Sequence, residues 1–528
     1  MAPEAPSSTL LAWATTLTPH HITPLLLLLS LTTLTIIWYA HSWHQLRAFP
    51  GPRLASFSYL WMLRTWRAGA QAARYGPLNA RHGTTTTRTV RIGPRDLLTD
   101  DPAQVRRMGA ARSAYRRSDW YSPLRLDPYG VGLFSLRDVA AHDRLKAKMA
   151  FGYGGRENPG LEADVDAVLA QFVDLLARKC VPVVEGTGTG SVGETKGVDL
   201  ARVVQYFTMD AISRIAYGEE FGFLKTDSDV FGAIDGAEQG IPLLVLMAEV
   251  PFLGRLFTQP WLVKLVGPKK TDAGGMGKML AIAEQVVAER FGPDAKDQRD
   301  MLGAFVRHGV AQRECEIEVP FQLVAGSDTT ATTIRGTMLH LASTRRAYVK
   351  LQKEIDTGVA EGRISSPITG EEAKKLEYLQ AVIYEGLRIQ IPISGLFMKE
   401  VPPEGDTIDG IFVPGGTRIA HNTQGIMRRR DIFGDDADIF RPERWIGISP
   451  EKRQEMVQTT ELVFGYGRWG CSGKPVAFLE LNKVYVELLR RFDFEILYPK
   501  RPWHETNYNV FFHSEQWMRV TERAEEAH

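Results

Sequence analysis

Phe464-Gly465-Tyr466-Gly467-Arg468-Trp469-Gly470-Cys471-Ser472-Gly473 decides how this chain is read. Four glycines crowd one cysteine, and an apolar-periodic run follows through Ala477, Leu479, Leu481, Val484, Leu488 and Leu489. Glycine lets a backbone approach a bulky planar ligand, or take φ > 0, without steric cost. Cys471 is therefore expected at a helix N-terminus, where free N–H groups and the helix dipole favour a thiolate that can bind iron. A lone cysteine in such a turn is ordinarily a buried free thiol, so the reading depends on the rest of the chain.

Working back from Cys471, the run Val324-Ala325-Gly326-Ser327-Asp328-Thr329-Thr330 sits inside a helical pattern that extends to about Ser343. Glu316, Glu318 and Pro320 read as the start of that helix. Gly326 in mid-helix costs about 1 kcal/mol relative to Ala, a concession that lets a flat cofactor lie against the helix. A Thr hydroxyl can disturb the local ladder, and Asp328 is placed to relay protons. Lys374 to Ile389 is amphipathic, and its Glu385 and Arg388, three apart, share one face. Pro442-Glu443-Arg444-Trp445 lies in the loop-rich stretch leading to the cysteine loop.

Ala325-Gly326-x-Asp328-Thr329-Thr330, Glu385-x-x-Arg388, Pro442-Glu443-Arg444-Trp445 and Phe464-x-x-Gly467-x-x-x-Cys471-x-Gly473 stand in the order found in cytochromes P450. The chain resembles that family from Ile22 onward. It is most similar to fungal microsomal members that tailor secondary metabolites, of the pisatin demethylase type, and Tyr115-Arg-Arg-Ser-Asp-Trp-Tyr121 and Arg428-Arg-Arg-Asp-Ile-Phe433 add to that likeness. The resemblance implies a mainly α fold, with a large helical domain, a smaller β-rich region and one N-terminal transmembrane helix. It implies haem b, iron protoporphyrin IX, with Cys471 as the thiolate ligand to iron and Phe464, Gly473 and Gly326 against the cofactor. Asp328 and Thr329 take the catalytic roles on the distal side, and Glu385, Arg388 and Arg444 form a buried structural network.

Two positions depart from the family pattern. Trp469 stands two residues before Cys471, where Arg or His is usual, with Arg468 one place earlier. The usual Trp-x-x-x-Arg reads His142-x-x-x-Lys146. Arg468, His142, Lys146 and Lys399 are the expected partners of the haem propionates. Leu323, Ala325, Ile393 to Phe397 and Val510 to Phe512 are the expected pocket positions.

At the other end of the chain, residues 1–21 form a tail and Ile22 to Ala40 run without a charge. As a helix this run spans about 28 Å, enough for a thin bilayer core. Trp38, Tyr39, Trp43, Arg47 and Arg53 flank it, which places the remainder on the cytosolic side. Residues 41–53, with Phe49-Pro50-Gly51-Pro52, read as a stiff linker, and 54–528 as the catalytic domain. Arg81, Arg88 and Arg91 read as solvated, and Leu243 to Leu246, Phe252 and Leu253 mostly as ordinary core.

Gly188-x-Gly190-x-x-Gly193 matches a dinucleotide fingerprint but opens no apolar helix, so 185–197 reads as a low-complexity loop. Electrons must then come from outside, and the resemblance implies NADPH-cytochrome P450 reductase as partner, alongside O₂ and a small-molecule substrate. Arg428, Arg429 and Arg430 are candidates for its docking surface, or a solvated run. Lys and Arg number 63 against 62 Asp and Glu, which argues against a nucleic-acid partner. Three scattered cysteines exclude a disulfide framework.

The expectation is thus a single-pass protein of the endoplasmic reticulum membrane. It would be a haem-thiolate monooxygenase acting on a small apolar metabolite. A reductase-independent haem-thiolate isomerase or dehydratase, and a non-catalytic haem-binding protein, are the competing readings. The Asp328-Thr329 pair weighs against the first of these, and the membrane anchor with the apolar pocket positions against the second.

Overall fold

The computed structural model describes residues 19–180 and 197–523. The 1–18 part of the expected tail and most of the 185–197 loop lie outside the described residues. Helix α1 spans Pro19–Leu46 and displays Leu26 to Ile37 outward. Thr32 and Thr35 return their hydroxyls to Leu28 O and Leu31 O, each at 2.7 Å, so these polar groups are satisfied inside the helix as lipid requires.

The expected linker is not a free hinge. Helix α1 continues past Ala40 to Leu46, and Leu46 and Phe49 are buried in a small core. Arg91, expected on a solvated face, is wholly buried instead. Its guanidinium donates to Ser42 O (3.1 Å) and Trp43 O (3.3 Å), capping the last turn of α1, and to Pro94 O. Gly51 is required here, because a Cβ would lie 2.2 Å from Arg91 O.

The body is mostly helical. In chain order its main helices are α2 (Pro102–Gly109), α3 (Val139–Tyr153), α4 (Leu161–Cys180), α5 (Leu200–Tyr217), α6 (Ala233–Glu249), α7 (Pro251–Phe257), α8 (Pro260–Val266), α9 (Gln312–Ser343), α10 (Glu377–Ile389) and α11 (Lys474–Arg491). The main core runs between α4, α5, α9, α10 and α11, and α5 packs along α9. Helix α9 starts before Pro320, because Glu314 reaches back to the Ala311 N–H (2.9 Å) and caps it there. At 1.5 Å per residue it is about 48 Å long, the axle of the domain.

Strands β1 (Val90–Gly93), β2 (Asp96–Thr99), β3 (Arg116–Arg117), β5 (Lys399–Glu400) and β8 (Arg418–His421) form one sheet in the order β1-β2-β8-β5-β3. The segments β4 (Val198–Asp199), β9 (Phe492–Ile496) and β12 (Trp517–Glu522) form a second. The hairpins β6–β7 (Asp406–Ile408, Ile411–Val413) and β10–β11 (His504–Tyr508, Val510–Ser514) stand apart. The arrangement matches the expected helical domain with a smaller β-rich part.

Among the described residues, two helical stretches are long and apolar enough to cross a membrane: Leu26–Leu46 and Val230–Glu249. The second buries Ala237, Ile241 and Val245 in the main core, so it is a core helix. Of the residues expected as core, Leu243 and Phe252 are exposed, and so are Leu256, Trp261, Leu265 and Val266 along α7 and α8.

Candidate active site

Gly465 (φ +73°) and Gly467 (φ +57°) turn the chain sharply before Cys471, a conformation that side chains with a Cβ resist. A Cβ on Gly467 would lie 2.4 Å from Gly109 O, so α2 packs directly on this loop. The Cys471 N–H donates to Phe464 O (2.7 Å), closing the loop, and Gly473 caps α11. Surrounding protein pushes the Cys471 thiol pKa up. The Gly473 and Lys474 amides bonded to the sulfur, with the Lys146 and Lys474 charges, act the other way and favour thiolate. Its surface opens onto a cavity of about 310 Å³ that Phe464 and Lys474 also line.

Beside the loop lies a group of buried cations. Lys399 is 2% exposed, its Nζ 4.6 Å from the Trp469 ring centre and 3.5 Å from Tyr121 Oη. Burial, then the Arg117 and Lys146 charges, hold its pKa well below the usual lysine range. Arg117 lies over the same indole at 4.5 Å and donates to Leu133 O (2.6 Å) and Leu136 O (3.1 Å), while its buried Nε has no partner. The Trp469 Nε1 is also buried without a partner. Lys146 donates to Arg468 O (2.8 Å) and Gly470 O (2.7 Å). Among the described residues neither Arg117 nor Lys399 makes a salt bridge.

Buried cations without anions are costly. This donor set therefore fits a cofactor that brings carboxylates, as the family's haem does with its propionates. Arg117 is the residue that the sequence reading missed; the 115–121 stretch entered it only as part of the family likeness.

Two expected partners behave differently. Arg468 is turned onto Asp143 (Nε to Oδ2 3.1 Å) and offers the cluster only its carbonyl. The His142 ring lies tilted against Trp469, ring centres 4.5 Å apart, and burial, then Arg117, lower its pKa to about 4, so it is a neutral ring at pH 7.

Asp328 and Thr329 lie on α9. The Asp328 Oδ1 accepts from Gln205 Nε2 of α5, whose Oε1 accepts from Arg335, while Oδ2 is buried and unpartnered. Burial raises its pKa to about 6, against the lowering effect of Arg335 and Gln205. Thr329 donates to Ala325 O (2.9 Å), leaving its oxygen lone pairs to accept. Gly326 is also required by helix packing: a Cβ there would meet Ile212 Cγ1 of α5 at 2.7 Å.

The Glu385 network is closed. Arg388 donates Nε to Oε2 (2.9 Å) and Nη2 to Oε1 (2.7 Å) of Glu385, and Arg444 Nε also reaches Oε1 (3.0 Å). Trp445 Nε1 (2.9 Å) and the Arg441 N–H (2.8 Å) complete the carboxylate. Burial opposes ionisation, and Arg388 and Arg444 outweigh it, so the Glu385 pKa is lowered. Carbonyls of Met427, Ala437 and Ile439 hold Arg388 on its other side. Arg428 caps α10 at Arg388 O (3.0 Å) and Ile389 O (2.7 Å), Arg429 pairs with Asp431, and Arg430 is the most exposed member of the 428–430 run, 3.8 Å from Asp438.

A cysteine held at a helix N-terminus, a buried acid–threonine pair on the long helix and a pocket of unpaired cations define a haem-thiolate oxidoreductase. Residues 183–516 match the family model "Cytochrome P450", and the chain belongs to that family. It is 50% identical over 486 residues to "Cytochrome P450 monooxygenase ABA1" of Pyricularia oryzae, covering 92% of this chain and 94% of the relative. It is 43% identical to "Cytochrome P450 monooxygenase aba1" of Botryotinia fuckeliana, over 90% and 92%. Pisatin demethylase of Fusarium vanettenii is 28% identical, over 90% and 89%. The chain is an oxidoreductase that incorporates oxygen.

Proposed function

We propose that this protein is a membrane-anchored haem-thiolate monooxygenase of fungal secondary metabolism. It places one atom of O₂ into a small, mostly apolar metabolite, with electrons from NADPH-cytochrome P450 reductase. The Asp328–Thr329 pair carries the reading: a buried acid poised near neutral pH beside a hydroxyl whose lone pairs are free to accept. The bound haem b would supply dioxygen activation, and the Cys471 sulfur is the group that would hold its iron.

The chain's own residues do the rest. The Gly473 and Lys474 amides bond the sulfur and favour its thiolate against the opposing effect of burial. Arg117, Lys399 and Lys146 would hold the cofactor carboxylates, with the Trp469 N–H beside them. Asp328 carries a proton at its unpartnered Oδ2, and the Gln205 amide keeps it aimed while separating it from the Arg335 charge. Thr329, the next residue on α9, offers an oxygen whose lone pairs remain free to accept a hydrogen bond. The α1 helix and the exposed apolar residues of α7 and α8 support attachment to the endoplasmic reticulum membrane, with the catalytic body cytosolic.

Reconstitution with the reductase and NADPH under isotope-labelled dioxygen tests the proposal. Labelled product that depends on reductase is expected. Turnover without reductase would move the protein to the isomerase class. Cys471→Ser is expected to remove the thiolate-type band of the reduced carbon monoxide complex, and its persistence would refute the ligand assignment.

A further inference from the structure

The segment after α10 and the tip of the β10–β11 hairpin meet over buried polar atoms that lack protein partners. Asn509 is 3% exposed, and neither its Oδ1 nor its Nδ2 makes a hydrogen bond. Trp120 is 2% exposed, and its Nε1 is likewise unpaired, as is Nε2 of His421. These groups surround Phe397. Its ring centre lies 6.1 Å from that of Trp120 and 6.3 Å from that of His421. Gly395 bridges to Asn509: a Cβ there would be 3.3 Å from the Phe397 ring and 3.7 Å from Asn509 Cβ.

The backbone is held in an unusual shape to make this arrangement. Phe397 has φ +45° and Asn509 φ +61°, the left-handed region that a bulky aromatic residue rarely enters. Asn509 O accepts from Ser394 N (2.7 Å) and Ser394 Oγ (3.2 Å), and its N–H donates to Gln71 Oε1 (2.8 Å). The backbone of Asn509 is fully used and only its amide side chain is free. Buried donors and acceptors left this way call for a partner.

The chemistry of that partner follows from the groups present. The Asn509 amide and the Trp120 N–H are neutral donors, and Asn509 Oδ1 is an acceptor. Lys399, the cation nearest to His421, directs its Nζ to Tyr121 and Trp469 instead. Gln71, which binds Asn509 on one side, binds the buried Glu249 carboxyl on the other (2.7 Å). A carboxylate ligand would be stripped of water here without a counter-charge and close to an acid.

We propose that Asn509 and Trp120 form a polar subsite for a neutral oxygen function, a ketone or hydroxyl, on an otherwise apolar substrate. By anchoring that group, the subsite selects which carbon is presented for oxidation. This deepens the monooxygenase reading and rests on it for the identity of the bound molecule as substrate.

The test uses full-length holoenzyme and the matched probes decalin and decalone, with dissociation constants from calorimetry and from the ferric spin-state change. Asn509→Gly keeps the left-handed backbone while removing the amide, and Trp120→Phe removes the indole N–H independently. Each is expected to weaken decalone about tenfold and to leave decalin within about twofold. Equal losses for both probes, or a wild-type protein that does not bind decalone, would overturn the subsite. Tighter wild-type binding of decalin carboxylate, lost in both variants, would overturn the neutral class. Failure of the monooxygenase reading registers separately, as absence of reductase-dependent oxygen incorporation while the probe binding persists.

Discussion

Among the groups of buried charge in the described residues, two differ sharply in completeness. Around Glu385, every charged atom has a partner: two arginines, an indole N–H and a backbone amide on the carboxylate, and carbonyls behind the guanidinium groups. Around Trp469, Arg117 and Lys399 rest on one aromatic ring with no carboxylate between them. The first set is finished by the polypeptide alone and serves the fold. The second has no protein carboxylate to complete it and, on the proposed function, would be completed by the cofactor's. Buried charge thus separates structure from binding by what it lacks, not by where it lies.

Breaking the closed set should have the largest effect. Glu385→Ala strands two buried guanidinium groups and is expected to cost about 3–5 kcal/mol, enough to abolish recovery of folded protein or to lower Tm sharply. Glu385→Gln keeps the shape and should lose somewhat less. A Tm within a degree or two of wild type for Glu385→Ala would show that the network is not structural.

In the open set the sign reverses. Arg117→Leu removes one of several like charges, so the cofactor-free protein should become more stable while haem binds about tenfold more weakly. Thermal melts of both forms, with haem titration followed by absorbance, separate these effects. A loss of stability in the cofactor-free protein would place Arg117 with the structural arginines.

Sequence and structure divide along the same line. Cys471, the Asp328-Thr329 pair and Glu385 with Arg388 were legible because each is a short run, whose spacing within one loop or helix already fixes its geometry. Arg117 was not, because its meaning comes from Trp469 and Lys399, some hundreds of residues away. Gln205 was invisible for the same reason: it reads as an ordinary polar residue in an apolar helix until α5 is laid along α9. Gly326 was legible only in part. A helix glycine signals close approach, but the sequence cannot say of what, and here it is Ile212. The anchor was legible and its docking was not, since Arg91 caps α1 from a strand.

Asp328 stands between the two cases, bonded at one oxygen and open at the other. Burial lifts its pKa to about 6, so the folded protein holds this proton more tightly than the unfolded chain. Stability attributable to this group is therefore lost as pH rises from the ordinary aspartate range through that value. Asp328→Asn should remove that loss, stabilising the protein above about pH 6 by at most about 3 kcal/mol, while product formation falls and NADPH oxidation becomes uncoupled. Destabilisation at neutral pH, with coupling intact, would mean that the carboxylate is structural.

The smallest effect sharpens the comparison most, because it reads the open set by titration alone. Lys399 has a depressed pKa in the fold, caused first by burial and then by Arg117 and Lys146. Between that folded value and the ordinary lysine value the unfolded chain binds a proton that the folded one does not, so cofactor-free stability must rise with pH across this window. Carboxylates placed beside Lys399 restore its charge and should erase the slope. Melts of both forms between about pH 7 and 10 are expected to show a rising Tm without cofactor and a flatter profile with it. Lys399→Met should flatten the cofactor-free profile and raise its neutral-pH stability. The closed set gives no such contrast, since Glu385 is held ionised by partners present in both forms. Parallel profiles with and without haem would mean that the cofactor does not complete this cluster, and the assignment of its carboxylates to Arg117 and Lys399 would fall.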